Sequence, residues 1–201
     1  MIELDHVVVA VADLASSYRG LRSVAGGRHD GWGTANRIVP LGDAYLELVT
    51  VVDPAEAETS AFGRWVAAAP PGPLGWAVRT TELDATAARL GLPVAAGSRA
   101  TAAGELLRWR VAGFEHAAAE PLLPFFLEWA DDAPFPGRAA PPAGRLAGLE
   151  LRGDASRLDA WLGGARLPLT VRPGRPGIAR VLVEPGSRTG RRARSPGGRR
   201  S

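Results

Sequence analysis

The feature that most restricts the fold is an order of elements that comes round three times: an apolar strand, an Asp or Thr suited to capping a helix, a short amphipathic stretch closed by glycine, then further strands. In the first round, residues 2–11 (IELDHVVVAV) form the strand, with Ile2, Leu4, His6, Val8 and Ala10 on one face and Val7, Val9 and Val11 on the other. Asp13 caps a predicted helix through about Ala25, with Leu14, Tyr18 and Leu21 at helical spacing and Gly26-Gly27 ending it. The second round follows Pro70-Pro71-Gly72-Pro73, with a strand over 74–80, Thr81 as a cap, a helix over 82–90 closed by Gly91, a strand over 106–112 and the run 122–129 (LLPFFLEW). A partial third follows Pro141-Pro142. It has a strand over 146–151, Asp154 capping a helix that contains Leu158, Trp161 and Leu162, Gly163-Gly164 closing it, and strands over 167–171 and 178–184. Between the first two rounds, residues 53–69 carry Phe62, Trp65 and Val66 at the spacing of one amphipathic helix. Each pattern is weak alone, but three in the same order make internal duplication the economical account.

The stretch 26–49 (GGRHDGWGTANRIVPLGDAYLELV) concentrates the unusual chemistry. Its front half, 26–34, holds too much glycine for a helix or a regular strand and reads as a shaped loop carrying His29. Its back half reads as two strands joined at Gly42-Asp43, with Tyr45, Glu47 and Val49 on one face of the returning strand and Leu46 and Leu48 on the other. A carboxylate between residues of core type lies either on a solvated sheet face or inside a pocket.

Composition sets the limits. At 201 residues and 46% hydrophobic content the chain buries a real core. It has no cysteine, so disulfides and thiolate metal sites are excluded, which fits a reducing, cytoplasmic setting. The N-terminus is acidic where a signal peptide needs positive charge, and the apolar run 7–12 is too short to cross a bilayer, so no membrane partner is expected. The isoelectric point near 10.4 comes from residues 185–201, which hold six arginines and no acid; removing those six from the formal +3 leaves −3 for residues 1–184. That Arg-rich tail is expected to be disordered, and nucleic acid is not expected as its dedicated partner.

The pieces Leu4-Asp5-His6-Val7, Val11-Ala12-Asp13-Leu14, Gly27-Arg28-His29, Gly33-Thr34-Ala35-Asn36, Tyr45-Leu46-Glu47-Leu48 and Leu123-Pro124-Phe125-Phe126-Leu127-Glu128-Trp129 resemble the glyoxalase-like branch of the vicinal oxygen chelate superfamily. The resemblance covers roughly residues 1–185. It implies an α+β fold of paired βαβββ modules, whose curved mixed sheets surround a central pocket, with a partial third β-α-β-β unit at the C-terminus. The boundaries expected are 1–53 and 74–130 for the modules, 54–73 for a helical linker, 131–184 for the third unit and 185–201 for the tail. Modules of this kind pair within one chain or between the chains of a homodimer; two copies here argue for a pocket within one chain.

The resemblance further implies a divalent metal held by first-strand and last-strand residues of each module. Position by position, His6 and Glu47 match module one, and Glu128 matches the last strand of module two. The fourth position falls on Gly75, which has nothing to coordinate with. Three readings stay open: three protein ligands plus water, His29 as a substitute, or no metal. Strand alternation adds that His6, Glu47 and Glu128 each sit among residues that favour burial. Burying ionisable groups without partners costs several kcal/mol, so the three are expected to converge. One imidazole and two carboxylates suit Zn, Mn, Fe or Ni. Such an ion would polarise a substrate with neighbouring oxygens in lyase, isomerase or dioxygenase-type chemistry, with Glu47 or Glu128 shuttling a proton. The alternative is a metal-free module that binds or sequesters a small molecule, with His29, Thr34, Asn36 and Tyr45 orienting the ligand beside Glu47. His116 reads as a surface residue, and Trp32, Trp76, Trp109 and Trp129 as mostly core.

Overall fold

Duplication in the sequence becomes continuity in one sheet. The computed structural model describes residues 1–101 and 104–186; most of the Arg-rich tail, 187–201, lies outside the described residues. The first half supplies β1 (Ile2–Ala10), β2 (Val24–His29), β3 (Thr34–Pro40) and β4 (Tyr45–Val51). The second supplies β5 (Gly72–Thr80), β6 (Val94–Ala100), β7 (Leu106–Ala112) and β8 (Phe125–Trp129), with α3 (Leu83–Leu90) and α4 (Phe114–Ala119) between strands; α1 (Pro54–Thr59) and α2 (Ala61–Ala67) link the halves. The eight strands run in the order β2-β3-β4-β1-β5-β8-β7-β6, so each half repeats one internal order and the two join where β1 meets β5 antiparallel. The sheet curves until its two edges almost meet. A Cβ added to Gly27 on β2 would lie 2.0 Å from the carbonyl oxygen of Ala100 on β6.

Alternation gives this sheet two apolar faces. The concave face carries Val8, Val49, Ala77, Phe125, Leu127, Trp109 and Val111, roofed by Phe62 and Val66 of α2. The convex face carries Leu4, Val7, Val9, Leu46, Leu48, Trp76, Val78 and Phe126. A second sheet of three strands, β10-β9-β11, is built from β9 (Gly144–Arg152), β10 (Leu169–Arg172) and β11 (Gly177–Pro185), with α5 (Ala155–Leu162) between β9 and β10. Its Leu146, Leu149, Leu151 and Val181 share the convex-face core. On α5, Trp161 donates to the Pro124 carbonyl at 2.9 Å and packs with its ring tilted, 5.9 Å from that of Phe126, while Arg89 of α3 donates to two carbonyls at the end of α5.

Three local expectations are corrected. No helix forms over residues 13–25. Asp13 accepts from the amides of Ala15 and Ser16 as a cap would, but the chain then turns, with Arg19 and Gly20 at φ 52° and 69°. The apolar surface that helix would have covered shares its core with the three-stranded sheet instead, with Tyr18 and Leu21 packed beside it. The glycine-rich run is β2 as far as His29, and only the following turn is loop. The single helix expected over 53–69 is two, because Ser60 is extended and its hydroxyl caps α2 through the Gly63 amide. Strand β6 and helix α4 went unforeseen: alanine-rich stretches carry little periodic signal.

Candidate functional site

Strand alternation would place Asp5 opposite His6, and an irregularity in β1 overrides it. Leu4 pairs with Val78 and His6 with Ala77, so Asp5 is an extra residue with no partner on β5. Such a bulge re-aims side chains. Leu4 joins the convex face with Val7 and Val9, contrary to the alternation read from sequence, while Asp5 and His6 come together. His6 Nδ1 lies 2.6 Å from Asp5 Oδ1, so Nδ1 carries the proton and donates it to the carboxylate. Asp5 is fully buried; its other oxygen accepts from Trp129 Nε1 at 2.9 Å and lies 3.7 Å from the Arg79 guanidinium. His6 is fixed further by Tyr45, stacked at 4.5 Å, and by the edge of Phe125 at 5.5 Å. Its Nε2 faces the cavity, 3.6 Å from Glu47 Oε2.

Glu47 is held from the other side by β2 and β3. Asn36 Nδ2 donates to Glu47 Oε1 at 2.6 Å, and Asn36 Oδ1 accepts from the Gly27 amide at 3.0 Å, which sets the orientation of the amide group. The glycines of the GGRH run make this possible: a Cβ on Gly26 would sit 1.9 Å from Asn36 Oδ1. His29 Nδ1 lies 2.8 Å from Thr34 Oγ1, and its Nε2 lies 3.3 Å from Glu47 Oε1 and 3.2 Å from Asn36 Nδ2. A proton on Nε2 therefore bonds the carboxylate, and a bare Nε2 accepts from Asn36. Burial pushes the Glu47 carboxyl up, but His29, the His6 charge and the Asn36 amide outweigh it and hold it at about 2. Burial, with the charges of Asp5 and Glu47, pushes the Tyr45 phenol well above its ordinary range, so it stays neutral.

The second half contributes the opposite wall, and that wall is apolar. Phe125 pairs with Ala77 as Tyr45 pairs with His6, so Leu127 stands where Glu47 stands in the first half. Leu127 and Phe125 line the cavity. Glu128 is one residue out of phase and projects on the convex side, where it accepts from Arg110 Nη1 at 2.8 Å and from the Leu83 amide at 3.4 Å. A one-residue step reverses the face of a strand side chain. The expected convergence of His6, Glu47 and Glu128 therefore does not form. Nor is Gly75 the counterpart of His6, as the position-by-position match had it: the register puts Ala77 there, and a Cβ on Gly75 would lie 2.3 Å from Trp65 Cη2, because the α2 indole occupies that half of the concave face.

What remains is a narrow, partly open cavity of about 30 Å³. It is lined by His6, His29, Tyr45, Glu47, Arg99 and an aromatic wall that includes Trp32, Trp109 and Trp129. The same three tryptophans border a wider cleft of about 1000 Å³ outside. The donor set does not fit a four-ligand divalent centre. One half-site is carbon, Glu47 Oε1 is already taken, and the Arg99 cation lines the same space. Among the described residues, no group of three or more His, Cys, Asp or Glu is arranged to hold a metal ion. Asp5 and Arg99 were missed in the sequence. An acid inside an apolar strand was a usable signal for Asp5, whereas Arg99 sits in a strand that was itself unrecognised.

A family model described as a glyoxalase-like domain matches residues 4–166. The chain belongs to this glyoxalase-like family. Its paired modules are those of the vicinal oxygen chelate fold. Among solved structures, this glyoxalase-like chain is similar to a hypothetical protein from Staphylococcus aureus, at TM-score 0.71 and 13% identity over 89% of this chain and 88% of that one. A methylmalonyl-CoA epimerase from Mycobacterium tuberculosis is a weaker likeness, at TM-score 0.42 and 21% identity over 63% of this chain and 86% of that one. No curated protein matches the sequence. Among the described residues no helix is long and apolar enough to cross a membrane.

Proposed function

We propose that this glyoxalase-like protein takes a small molecule with a carbonyl beside an acidic C–H into the concave cavity and moves a proton on it with the Asp5–His6 pair, without a divalent ion. One observation carries the reading: the β1 bulge sets Asp5 Oδ1 against His6 Nδ1 at 2.6 Å and leaves Nε2 facing the cavity. A carboxylate that fixes the tautomer and orientation of an imidazole is a recurrent device for general base catalysis. Glu47, held at about 2, is a poor proton acceptor near neutral pH; its ionised form suits stabilising the protonated imidazole. The metal-assisted chemistry and the catalytic and ligand roles of Glu128 implied by the family resemblance are not carried forward, because the cavity wall of the second half is apolar and Glu128 points away from it.

The test is hydrogen–deuterium exchange in D2O, followed by proton NMR, on EDTA-treated protein with a panel of small α-keto acids and α-hydroxy ketones. Wild type is expected to exchange the C–H next to the carbonyl, and His6→Gln to slow this by about a hundredfold or more. Exchange that appears only after adding Zn or Mn would defeat the metal-free reading. A second reading, binding without turnover, is favoured by the small cavity and the firmly ionised Glu47. Saturable binding of a panel member with no exchange would select it.

A further inference from the structure

Within the cavity wall the acids already have partners. Glu47 accepts from Asn36 and faces both histidines; Asp5 accepts from His6 and Trp129 and lies near Arg79. Arg99 differs. It comes from β6 at the seam where the sheet nearly closes, is 4% exposed, lines the cavity, and its Nη1 is the one buried side-chain polar atom among the described residues with no hydrogen-bond partner. No carboxylate lies within ion-pair distance of it among the described residues, although Glu47 is close enough for its charge to act on it. A buried guanidinium with an unmet donor is costly to keep. Such a group calls for a partner from outside the protein, whether water, an ion or a ligand.

The geometry points to Arg99 as the receptor for the carboxylate of a small organic acid. This deepens the functional reading above, since it names the group by which that substrate is held. The guanidinium presents N–H donors in a planar fork that matches a carboxylate. The inner space admits little more than such a head group. The rest of the acid lies toward Trp32, Trp109 and Trp129, which border both the inner cavity and the outer cleft. Arg99 and His6 line the same cavity, so a 2-oxo acid whose carboxylate sits on Arg99 carries its C3–H, the acidic position beside the ketone, toward the base.

The experiment titrates wild type, Arg99→Met, Arg99→Lys and His6→Gln with pyruvate, acetate, inorganic phosphate and neutral acetamide, following the fluorescence of the bordering tryptophans. Wild type is expected to give saturable responses to pyruvate and acetate and none to acetamide. Arg99→Met should weaken pyruvate by about tenfold or more, with Arg99→Lys between. Because the ligand-free Arg99 donor is unmet, Arg99→Met should also melt no lower than wild type without ligand, which a purely structural arginine would not allow. His6→Gln should keep the pyruvate response while losing exchange, so failure of the proton-transfer reading and failure of the Arg99 reading are told apart. Pyruvate binding unchanged in Arg99→Met, phosphate bound in preference to the carboxylates, no carboxylate response at all, or a lower melting temperature for Arg99→Met would each overturn the proposal.

Discussion

Replacing Gly75 by alanine, alone and together with Trp65→Ala, tests why the second half of the concave face has no polar residue at this position. The Cβ of an alanine would stand 2.3 Å from Trp65 Cη2 and 2.7 Å from Cζ2, where carbon contacts normally settle at about 3.5–4.0 Å. The indole cannot swing away freely, since it packs edge-on against Phe62 and Phe125 with ring centres 6.1 and 6.4 Å away. Overpacking of this kind costs about 1–3 kcal/mol. Once Trp65 is removed, the same Gly75→Ala change meets open space and regains the roughly 0.5–1 kcal/mol by which alanine exceeds glycine inside a strand. The two substitutions should therefore be non-additive by about 1.5–4 kcal/mol. Urea unfolding of the four proteins, read as midpoint changes at constant slope, measures this directly. Additivity within about 0.5 kcal/mol would refute the account.

Three further outcomes follow from the site. The Glu47 carboxyl titrates near 2 in the folded chain against an ordinary value of 4.5, so it adds about 3 kcal/mol of stability. That contribution is complete above the unfolded value and is lost as pH falls from there toward 2, so acid unfolding of Glu47→Gln should show a shallower loss over that window than wild type. Glu128→Gln breaks a half-exposed pair with Arg110 and should cost only about 0.5–1 kcal/mol; a loss of about 3–5 kcal/mol, as for a buried pair, would contradict its placement. Zn or Mn added to EDTA-treated protein should leave the melting temperature within about 1 °C, whereas a real site at a hundredfold excess over its Kd would add about 2.7 kcal/mol, or roughly 5–10 °C.

Much of the architecture was legible in the linear chain. Apolar alternation in residues 2–11, 74–80 and 146–151 marked the first strand of each unit, and β5 and β9 span the latter two. Asp154 caps α5 as its side-chain chemistry requires, accepting from the amides of Ser156 and Arg157. The same logic failed at Asp13, where the cap forms and no helix follows, because nucleating a helix needs a covered apolar face and here that face belongs to another sheet. The candidate site was legible on one side only. The sequence put Asn36, Tyr45 and Glu47 on the two strands of one hairpin and His29 and Thr34 in the glycine-rich stretch before it, and the structure brings them together with His6 around Glu47.

By itself the sequence determined the repeated strand order, the strand faces wherever alternation runs unbroken, and the Asp154 cap of α5, since each depends on residues within a few positions of one another. Thr81, expected to cap α3, does not, the N-cap being Glu82 without a side-chain bond. Only the tertiary structure decided that Asp5 turns inward, that Glu128 turns outward, that Trp65 fills the place opposite Gly75 and that Arg99 is buried with a donor unmet. Those outcomes depend on which strand pairs with which and in what register, and on how closely distant edges of a curved sheet approach. Such relations join residues up to more than a hundred positions apart, and no local pattern encodes them.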